Sequence, residues 1–295
     1  MFMEVVIASG KGGTGKTFIS SNLSYYLHKN SSVVSVDTDA EAPDLLLSLG
    51  GSVRNLSKYT ISESRKARIN SSKCIKCYKC YEVCRFQAIV VRNGNPTIVE
   101  EYCEGCSACS IVCPTKCIEL YVRTTGTISV DLSRTGVPVV TADLEVGGRN
   151  TGRLVFLARE EARKLACNRK AKHIVVDAAP GLGCPVISSI TGADTVILVV
   201  EPTPPSLSGA KRLLKIVENF NIKPYLIVNK YNLSPKYTEK VVRELQIELL
   251  GRIPYDYTVV ESYTNMRPIL DYNPDCEVSK RLTSIFNYIV ECVLK

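Results

Sequence analysis

The sequence predicts an α/β protein in which a mostly parallel β-sheet is covered by helices on both faces and is interrupted by a small cysteine-rich module. Three observations support this prediction. Short, β-branched apolar segments alternate with amphipathic helical segments along most of the 295 residues. The first apolar segment leads directly into a glycine-rich loop. Eight of the thirteen cysteines fall in two compact runs between the second and third predicted strands.

Short apolar segments indicate the strands, and apolar residues at helical spacing indicate the helices. The predicted strands are 3–8, 33–37, 137–142, 173–177, 195–200, 224–229 and 251–253. The helices include 154–166 and 206–219, and a sheet of this type binds ligands at the carboxyl ends of its strands. The last helix, about 278–294, carries an apolar face that we expect to pack on the sheet rather than to bind a membrane. That face consists of Leu282, Ile285, Phe286, Ile289 and Val293.

Two cysteine runs share the spacing C-x2-C-x2-C-x3-C. The first run contains Cys74, Cys77, Cys80 and Cys84, and the second contains Cys103, Cys106, Cys109 and Cys113. Three closely spaced thiolates can bind three corners of an iron–sulfur cube, while the fourth ligand must come from elsewhere. C-x2-C pairs also build zinc sites, but two consecutive runs of identical spacing favour iron–sulfur clusters.

This spacing is similar to that of bacterial two-cluster ferredoxins, in which the fourth cysteine of each run binds the other cluster. The resemblance implies two [4Fe–4S] clusters with the following ligands. One cluster would be held by Cys74, Cys77, Cys80 and Cys113, and the other by Cys84, Cys103, Cys106 and Cys109. Arg85 stands where the ferredoxin pattern has proline, and Cys117 is expected to be a small packed residue.

The segment from Arg54 to Arg85 is strongly basic. Its nine basic residues are Arg54, Lys58, Arg65, Lys66, Arg68, Lys73, Lys76, Lys79 and Arg85. They form either a solvated surface that offsets the anionic clusters or a docking face for an acidic redox partner protein. The formal charge of the chain, +8, falls to about +4 when two clusters of about −2 each are counted. We therefore expect no nucleic-acid partner.

The chain has no segment that predicts membrane insertion. No apolar run approaches the roughly 20 residues that span a bilayer. The start, MFMEVVIASGKGG, has no basic region of the kind that precedes a signal sequence. We expect a cytoplasmic protein without a membrane partner.

The stretch EVVIASGKGGTGKT predicts a nucleotide-binding loop between a strand and a helix. Gly10, Gly15, Lys16 and Thr17 fit G-x-x-x-x-G-K-[ST], whose backbone N–H groups bind phosphates. Lys16 would reach the β- and γ-phosphates of the nucleotide, and the Thr17 hydroxyl would coordinate Mg²⁺. The residues expected to bind nucleotide are Gly10, Lys11, Gly12, Gly13, Thr14, Gly15, Lys16, Thr17 and Phe18.

Lys11 gives this loop the form KGGTGKT, which resembles the deviant Walker A motif of the MinD/Mrp/ParA/nitrogenase iron protein class of ATPases. In that class the first lysine reaches across a dimer interface to the nucleotide of the other subunit. The resemblance therefore implies a homodimer, whose formation could depend on ATP. It also implies that Lys11, Lys16 and Asp39 are the catalytic residues.

Three further segments are similar to motifs of the same class. SVVSVDTDAEAPDL resembles switch I, which implies that Asp37 and Asp39 contact Mg²⁺ and that Asp39 positions the attacking water. KHIVVDAAPGLG resembles switch II, in which Asp177 would hold Mg²⁺. Asn229 and Pro254 occupy positions that bind and pack the adenine base in these ATPases.

The most specific resemblance is to MinD-like P-loop ATPases with an inserted ferredoxin domain, and it covers essentially the whole chain. It predicts an ATPase domain over 1–62 and 124–295, with a ferredoxin-like insert over 63–123. The expected function is a Mg²⁺-dependent ATPase that couples a nucleotide-driven conformational change to electron transfer through two [4Fe–4S] clusters. Two other hypotheses stay open. One is an Mrp-like cluster carrier or assembly scaffold, and the other is a ParA/MinD-like positioning ATPase with a structural cluster domain.

A cysteine outside the two runs also has a counterpart in this class. Cys184 lies seven residues after Asp177, the offset of a cysteine that binds a subunit-bridging cluster in nitrogenase iron protein. The segment before Asp177 lacks the second cysteine that such a cluster needs. We therefore expect Cys184 to be a small residue beside switch II, where it could sense the nucleotide state.

Overall fold

A computed structural model of the chain describes residues 2–148 and 151–294, and these residues form two units. The first unit comprises Met1–Tyr59, Ile128–Asp143 and Gly152–Lys295. The second comprises Thr60–Thr127 and Leu144–Thr151.

The described chain contains strands and helices in the following order. The strands are β1 (Met3–Ala8), β2 (Val33–Asp37), β3 (Ser52–Ile61), β4 (Ser64–Ile69), β5 (Ile89–Arg92), β6 (Asn95–Ile98), β7 (Ile118–Arg123), β8 (Gly126–Ser133), β9 (Pro138–Leu144), β10 (His173–Asp177), β11 (Thr195–Val200), β12 (Lys223–Asn229) and β13 (Glu248–Ile253). The helices are α1 (Lys16–Asn30), α2 (Leu45–Ser48), α3 (Lys79–Val83), α4 (Ala108–Ile111), α5 (Thr151–Arg169), α6 (Cys184–Ile190), α7 (Pro204–Asn219), α8 (Pro235–Leu245), α9 (Tyr257–Thr264), α10 (Ile269–Tyr272) and α11 (Glu277–Tyr288).

Nine strands form one sheet in the order β13-β12-β11-β1-β10-β2-β9-β8-β3. Every neighbouring pair from β13 to β9 is parallel, which confirms the predicted α/β fold with a mostly parallel sheet. The seven predicted strands correspond to β1, β2 and β9 to β13. The sequence did not predict β3 and β8, which extend one edge of the sheet. Residues 52–60 of β3 are exposed, so this strand lacks the apolar pattern by which buried strands are recognised.

The central strands are buried because helices cover both faces of the sheet. All residues of β2, β10 and β11 are buried. The predicted helix over 278–294 is α11 followed by a π-helical turn over Ile289–Val293. The five apolar residues of this segment belong to the core that contains Val5 and Ile7 of β1. The prediction that this helix packs on the sheet is therefore confirmed. In the part of the chain that the structure describes, no helix has both the length and the apolar character needed to cross a membrane.

The second unit consists of two similar halves 29 residues apart. In each half a short 3₁₀ turn precedes the first cysteine and a short helix, α3 or α4, contains the third. Strand β4 pairs antiparallel with β7, and β5 pairs antiparallel with β6. Left-handed backbone conformations recur at equivalent positions of the two halves. These pairs are Lys76 and Gly105, Tyr78 and Ser107, and Gln87 and Lys116.

Candidate functional site

The glycine-rich loop between β1 and α1 is held by a side chain that lies 215 residues later in the sequence. Asn229, at the end of β12, donates its Nδ2–H to the Thr14 carbonyl at 2.8 Å, and its Oδ1 accepts from the Lys230 N–H at 3.0 Å. Gly15 has φ 95°, and a Cβ there would lie 2.3 Å from Asn229 Nδ2. Only glycine allows this approach. Asn229 therefore braces the loop through Nδ2, while the N–H of Lys230 holds Oδ1.

An open cavity of about 1160 Å³, counting space continuous with solvent, lies over this loop. It brings together Gly12, Gly13, Gly15, Lys16, Thr17, Phe18 and Asp39 with Ala42, Asp44, Pro180, Lys230, Val259, Val260 and Tyr263. The residues of the second group were not predicted to bind nucleotide, although Val259, Val260 and Tyr263 form an apolar stretch of α9 just after Pro254. Five residues that were predicted to bind nucleotide are not among the described residues that line the cavity. They are Gly10, Lys11, Thr14, Asn229 and Pro254.

Asp177, at the end of β10, lies beside the first turn of α1. Its Oδ1 accepts from the Ser20 hydroxyl at 2.8 Å, and the Thr17 hydroxyl also hydrogen-bonds to it. Burial raises the pKa of Asp177 to about 6, against the lowering effects of Lys16 and the two hydroxyls. This carboxyl and the Thr17 hydroxyl are oxygen donors of the kind that Mg²⁺ prefers.

Asp37 holds the loop that follows β2. Its Oδ1 accepts from the Asp39 N–H at 3.0 Å, and its Oδ2 accepts from the Leu45 N–H at 2.8 Å. Burial and the neighbouring Asp177 raise the pKa of Asp37 well above its usual range. Because backbone amides use both of its oxygens, Asp37 positions Asp39 in this structure. Burial also raises the pKa of Asp39, which lines the cavity, while Lys16 lowers it.

The loop after β2 is also connected to α6. Thr38 donates its hydroxyl to the Asp177 carbonyl at 2.7 Å and lies 2.8 Å from the Ser189 hydroxyl. Thr38 and Ser189 are fully buried. A movement of the segment after β10 would therefore reach the loop that carries Asp39. Cys184, the first residue of α6, is exposed.

Lys11 points to an acidic residue instead of the cavity. Its Nζ lies 2.8 Å from Oε1 of Glu201, which follows β11 and is 8% exposed. Lys230 approaches Glu201 Oε2 at 3.3 Å and donates to the Gly13 carbonyl at 3.0 Å. Although burial opposes it, hydrogen bonding from Lys11 and the charge of Lys230 lower the pKa of Glu201. No local sequence pattern predicts this contact because Lys11 and Glu201 are 190 residues apart.

The raised pKa of Asp177 predicts a pH dependence of stability. Between pH 5 and 7 the folded state holds a proton on Asp177 that the unfolded state has lost, so this group makes stability fall as pH rises. The unfolding free energy of the wild type should fall by about 1 kcal/mol relative to Asp177→Asn across this window. Urea unfolding of both proteins without nucleotide measures the difference.

Asp256→Asn is the matched control for this pH prediction. Hydrogen bonding from Thr258 lowers the pKa of Asp256. This carboxyl is therefore already ionised at pH 5 in both the folded and the unfolded state. Asp256→Asn should change the unfolding free energy by the same amount at every pH from 5 to 7. A difference between the wild type and Asp177→Asn that stays constant from pH 5 to 7 would contradict the assignment.

The eight cysteines of the two runs line two separate cavities. Cys74, Cys77, Cys80 and Cys113 line a cavity of about 300 Å³, which we call site A and which Cys117 also lines. Cys84, Cys103, Cys106 and Cys109 line another of about 360 Å³, which we call site B. Each cavity therefore takes three cysteines from one run and the fourth from the other run. The remaining lining is largely apolar and includes Ile69 and Ile118 at site A, and Ala88 and Ile89 at site B.

Backbone donors in both halves point at a fourth cysteine. The N–H of Ala88 lies 3.4 Å from Cys84 Sγ, and the N–H of Cys117 lies 3.3 Å from Cys113 Sγ. Hydrogen bonds to sulfur stabilise thiolates and tune iron–sulfur clusters. The donor set, the apolar lining and these N–H groups fit a [4Fe–4S] cluster at each site. In the described ranges, no three His, Cys, Asp or Glu side chains are grouped as ligands of a single metal ion.

Cys117 is buried against site A, as expected, and its Sγ lies 3.4 Å from Cys113 Sγ. The two thiols differ in acidity. Burial raises the pKa of both. Hydrogen bonds from Cys117 and Thr115 nevertheless bring the pKa of Cys113 down to about 7, whereas the pKa of Cys117 rises to about 11. Cys113 is therefore the thiol closer to the deprotonated form that binds metals.

One member of the basic segment was placed wrongly by the sequence analysis. Lys66 was grouped with surface residues, but it is 0% exposed. Its ammonium donates to the carbonyls of Glu100 and Cys103 at 3.0 and 2.8 Å. These two hydrogen bonds offset the cost of burying the charge. Lys73, Lys76, Lys79 and Arg85 are exposed, as expected.

Comparisons with known proteins match the nucleotide-binding part of this description. Residues 5–269 match the family model described as the CobQ/CobB/MinD/ParA nucleotide binding domain. Two uncharacterized proteins of Methanocaldococcus jannaschii are 30% and 31% identical, over 98% and 99% of this chain and 98% of each relative. The septum site-determining protein MinD of Pyrococcus horikoshii, solved with Mg-ADP, superposes with a TM-score of 0.63 at 18% identity, over 100% of this chain and 99% of that protein.

Proposed function

Because the chain belongs to the CobQ/CobB/MinD/ParA family of nucleotide-binding domains, we propose that it is a Mg²⁺-dependent ATPase of the MinD/ParA type. The observation that carries the proposal is the convergence of Lys16, Thr17 and Asp39 on one cavity, with Asp177 hydrogen-bonded to Thr17 beside it. The description of the matched family and the Mg-ADP complex of the P. horikoshii relative support it.

The residues divide the work of phosphoryl transfer to water. The N–H groups of the loop and Lys16 bind the phosphates and stabilise the charge that develops on them. Asp39 orients the attacking water, and Asp37 fixes Asp39 through its backbone amide. Mg²⁺, held by Thr17 and Asp177, would neutralise phosphate charge. Phe18, Val259 and Tyr263 give the cavity an apolar wall suited to a nucleobase.

The test is phosphate release by the anaerobically purified protein with ATP and Mg²⁺, compared with EDTA. We expect Mg²⁺-dependent turnover that is slow for the protein alone. ATP binding without any hydrolysis, at all protein concentrations, would reject the ATPase and leave a nucleotide-binding module.

We further propose that the protein is a homodimer in its ATP-bound form, in which Lys11 reaches the partner's nucleotide. In the monomer, Lys11 is held by Glu201, so this ion pair opposes the dimer. Glu201→Gln should therefore tighten ATP-dependent dimerisation by roughly twofold to fivefold, the range expected for a partly exposed ion pair. Analytical ultracentrifugation with ATP and Mg²⁺ measures the dimer dissociation constant.

Glu244→Gln is the control for this dimer prediction, because Glu244 forms an ion pair with Lys211 outside the loop. It should leave dimerisation unchanged. Weaker dimerisation of Glu201→Gln would show that Glu201 supports the dimer instead of restraining Lys11.

The second unit supports a second function, electron transfer through two [4Fe–4S] clusters. The observation that favours it is the crossed set of cysteines at sites A and B, which is the set expected from ferredoxin spacing. The unit would accept electrons from a redox partner protein, for which the exposed Lys76, Lys79 and Arg85 offer a basic docking face. The clusters would supply one-electron chemistry, while the cysteines and N–H groups hold them and set their potentials.

The comparisons support the ATPase more directly than electron transfer, because the matched family is described by its nucleotide-binding domain. A ParA/MinD-like positioning ATPase with a structural cluster unit is therefore the main competing hypothesis, and a cluster carrier is the second. Cluster potentials that shift with Mg²⁺–ATP would favour coupled electron transfer. Potentials indifferent to nucleotide would favour a structural unit, and iron that a chelator removes readily would favour a carrier.

A further inference from the structure

The two cysteine sites differ in one buried charge. Lys66 on β4 has no solvent exposure, and its ammonium donates to the carbonyl of Cys103, the first cysteine of its run, at 2.8 Å. The next residue, Ala67, lines site B directly. Lys66 therefore fixes a positive charge against the chain that forms site B.

Site A has no equivalent of this charge at the matching position of the repeat. The residue 29 positions after Lys66 is Asn95, which is neutral and exposed. The lysines that directly precede cysteines of site A, which are Lys73, Lys76 and Lys79, are exposed. Solvent and salt screen exposed charges much more than buried ones. Glu104, which lines site B, carries the opposite charge, but it is only half-buried and is therefore screened more than the fully buried Lys66. Lys66 therefore makes the larger contribution to the difference between the sites.

Tight packing keeps Lys66 in place. Gly105, in the loop of site B, has φ +62°, and a Cβ there would lie 2.3 Å from the carbonyl oxygen of Arg65, the residue before Lys66. Strand β4 and this loop thus contact through their backbones. The second hydrogen bond of Lys66, to the Glu100 carbonyl at 3.0 Å, ties it to the turn that precedes Cys103.

Reduction adds one negative charge to a cluster that is already anionic, so a nearby buried cation stabilises the reduced form. We propose that Lys66 raises the reduction potential of site B above that of site A, which makes the second unit a directional relay. This inference rests on the proposed binding of clusters. One electron from a reduced donor protein would enter at site A, oxidising the donor. It would then pass to site B, which is reduced as site A is reoxidised, with no proton transferred.

The test is an anaerobic redox titration of the full chain with dithionite, followed by EPR. Lys66→Met should lower the potential of site B by at least about 59 mV, a tenfold change in its one-electron reduction equilibrium, and leave site A unchanged. The variants Cys77→Ser and Cys106→Ser assign the two signals, since each perturbs one site. Lys79→Gln is the control for an exposed lysine and should shift neither signal by a comparable amount.

Lys66→Arg keeps the charge and should keep the order of the two potentials. If Lys66→Met fails to bind iron, the titration of the wild type still tests the predicted order of the two potentials. Equal potentials, or a higher potential at site A, would overturn the inference. A protein that binds clusters but whose site B potential ignores Lys66→Met would overturn this inference alone. A wild type that binds no cluster after anaerobic reconstitution would overturn the electron-transfer proposal together with it.

Discussion

Lys16→Gln should lower the turnover number for ATP hydrolysis by about 10²–10³, the usual loss when one preorganised group that stabilises transition-state charge is removed. Lys16 is 7% exposed and lines the cavity with Thr17 and Asp39. No other lysine is as deeply buried among the described residues that line this cavity, because Lys230 is partly exposed and bonds to Glu201. Phosphate release under saturating ATP and Mg²⁺ measures the effect.

The matched control is Lys29→Gln, because Lys29 lies on the same helix and is exposed at its opposite end. Its turnover should equal that of the wild type. ADP affinity should be measured for both variants, since a loss of binding alone would raise KM and spare the turnover number. If Lys16→Gln hydrolysed ATP within threefold of the wild type, the loop would not be the catalytic centre.

The crossed arrangement of cysteines predicts which double variants lose one cluster and which lose both. Cys84 and Cys106 line site B, whereas Cys77 lines site A. The double variant Cys84→Ser/Cys106→Ser changes two ligands of site B, so it should lose one cluster and keep about four iron atoms per chain. The double variant Cys77→Ser/Cys84→Ser changes one ligand of each site, so it should lose both clusters. Iron analysis and EPR of the anaerobically reconstituted proteins distinguish these outcomes.

Cys167→Ala is the control for the iron analysis, since Cys167 is an exposed thiol of α5 that belongs to neither run and lines neither site. It should retain the iron content of the wild type. The opposite pattern would show that each run binds its own cluster. In that pattern the double variant Cys77→Ser/Cys84→Ser would lose one cluster, and Cys84→Ser/Cys106→Ser would lose both. A colourless protein with one metal ion per run would indicate zinc instead.

The sequence predicts the parts of this protein that depend on local pattern. Strands β1 and β10, the start of α1 at Lys16 and the two cysteine runs are encoded by residue type and spacing within short segments. Strand β3 escapes prediction because exposure of both faces removes the apolar alternation that identifies strands.

Long-range contacts account for most of what the sequence alone does not show. The contact between Lys11 and Glu201 joins residues that no local pattern relates. Asp37 is expected from the sequence to contact Mg²⁺, but its hydrogen bonds to the backbone amides of Asp39 and Leu45 depend on the fold. Lys66 carries a charge that predicts a surface position, and its burial depends on two carbonyls from a distant turn.

The repeat within the second unit has an evolutionary consequence. Neither half builds a complete set of four cysteines from its own residues, since Cys84 serves the cavity of the second half and Cys113 that of the first. An ancestral half, expressed alone, would have completed its cavity only by pairing with another copy of itself. Joining two such copies in one gene would turn an association between molecules into a permanent one, and would free each copy to diverge. The two halves now carry Lys66 and Asn95 at matching positions.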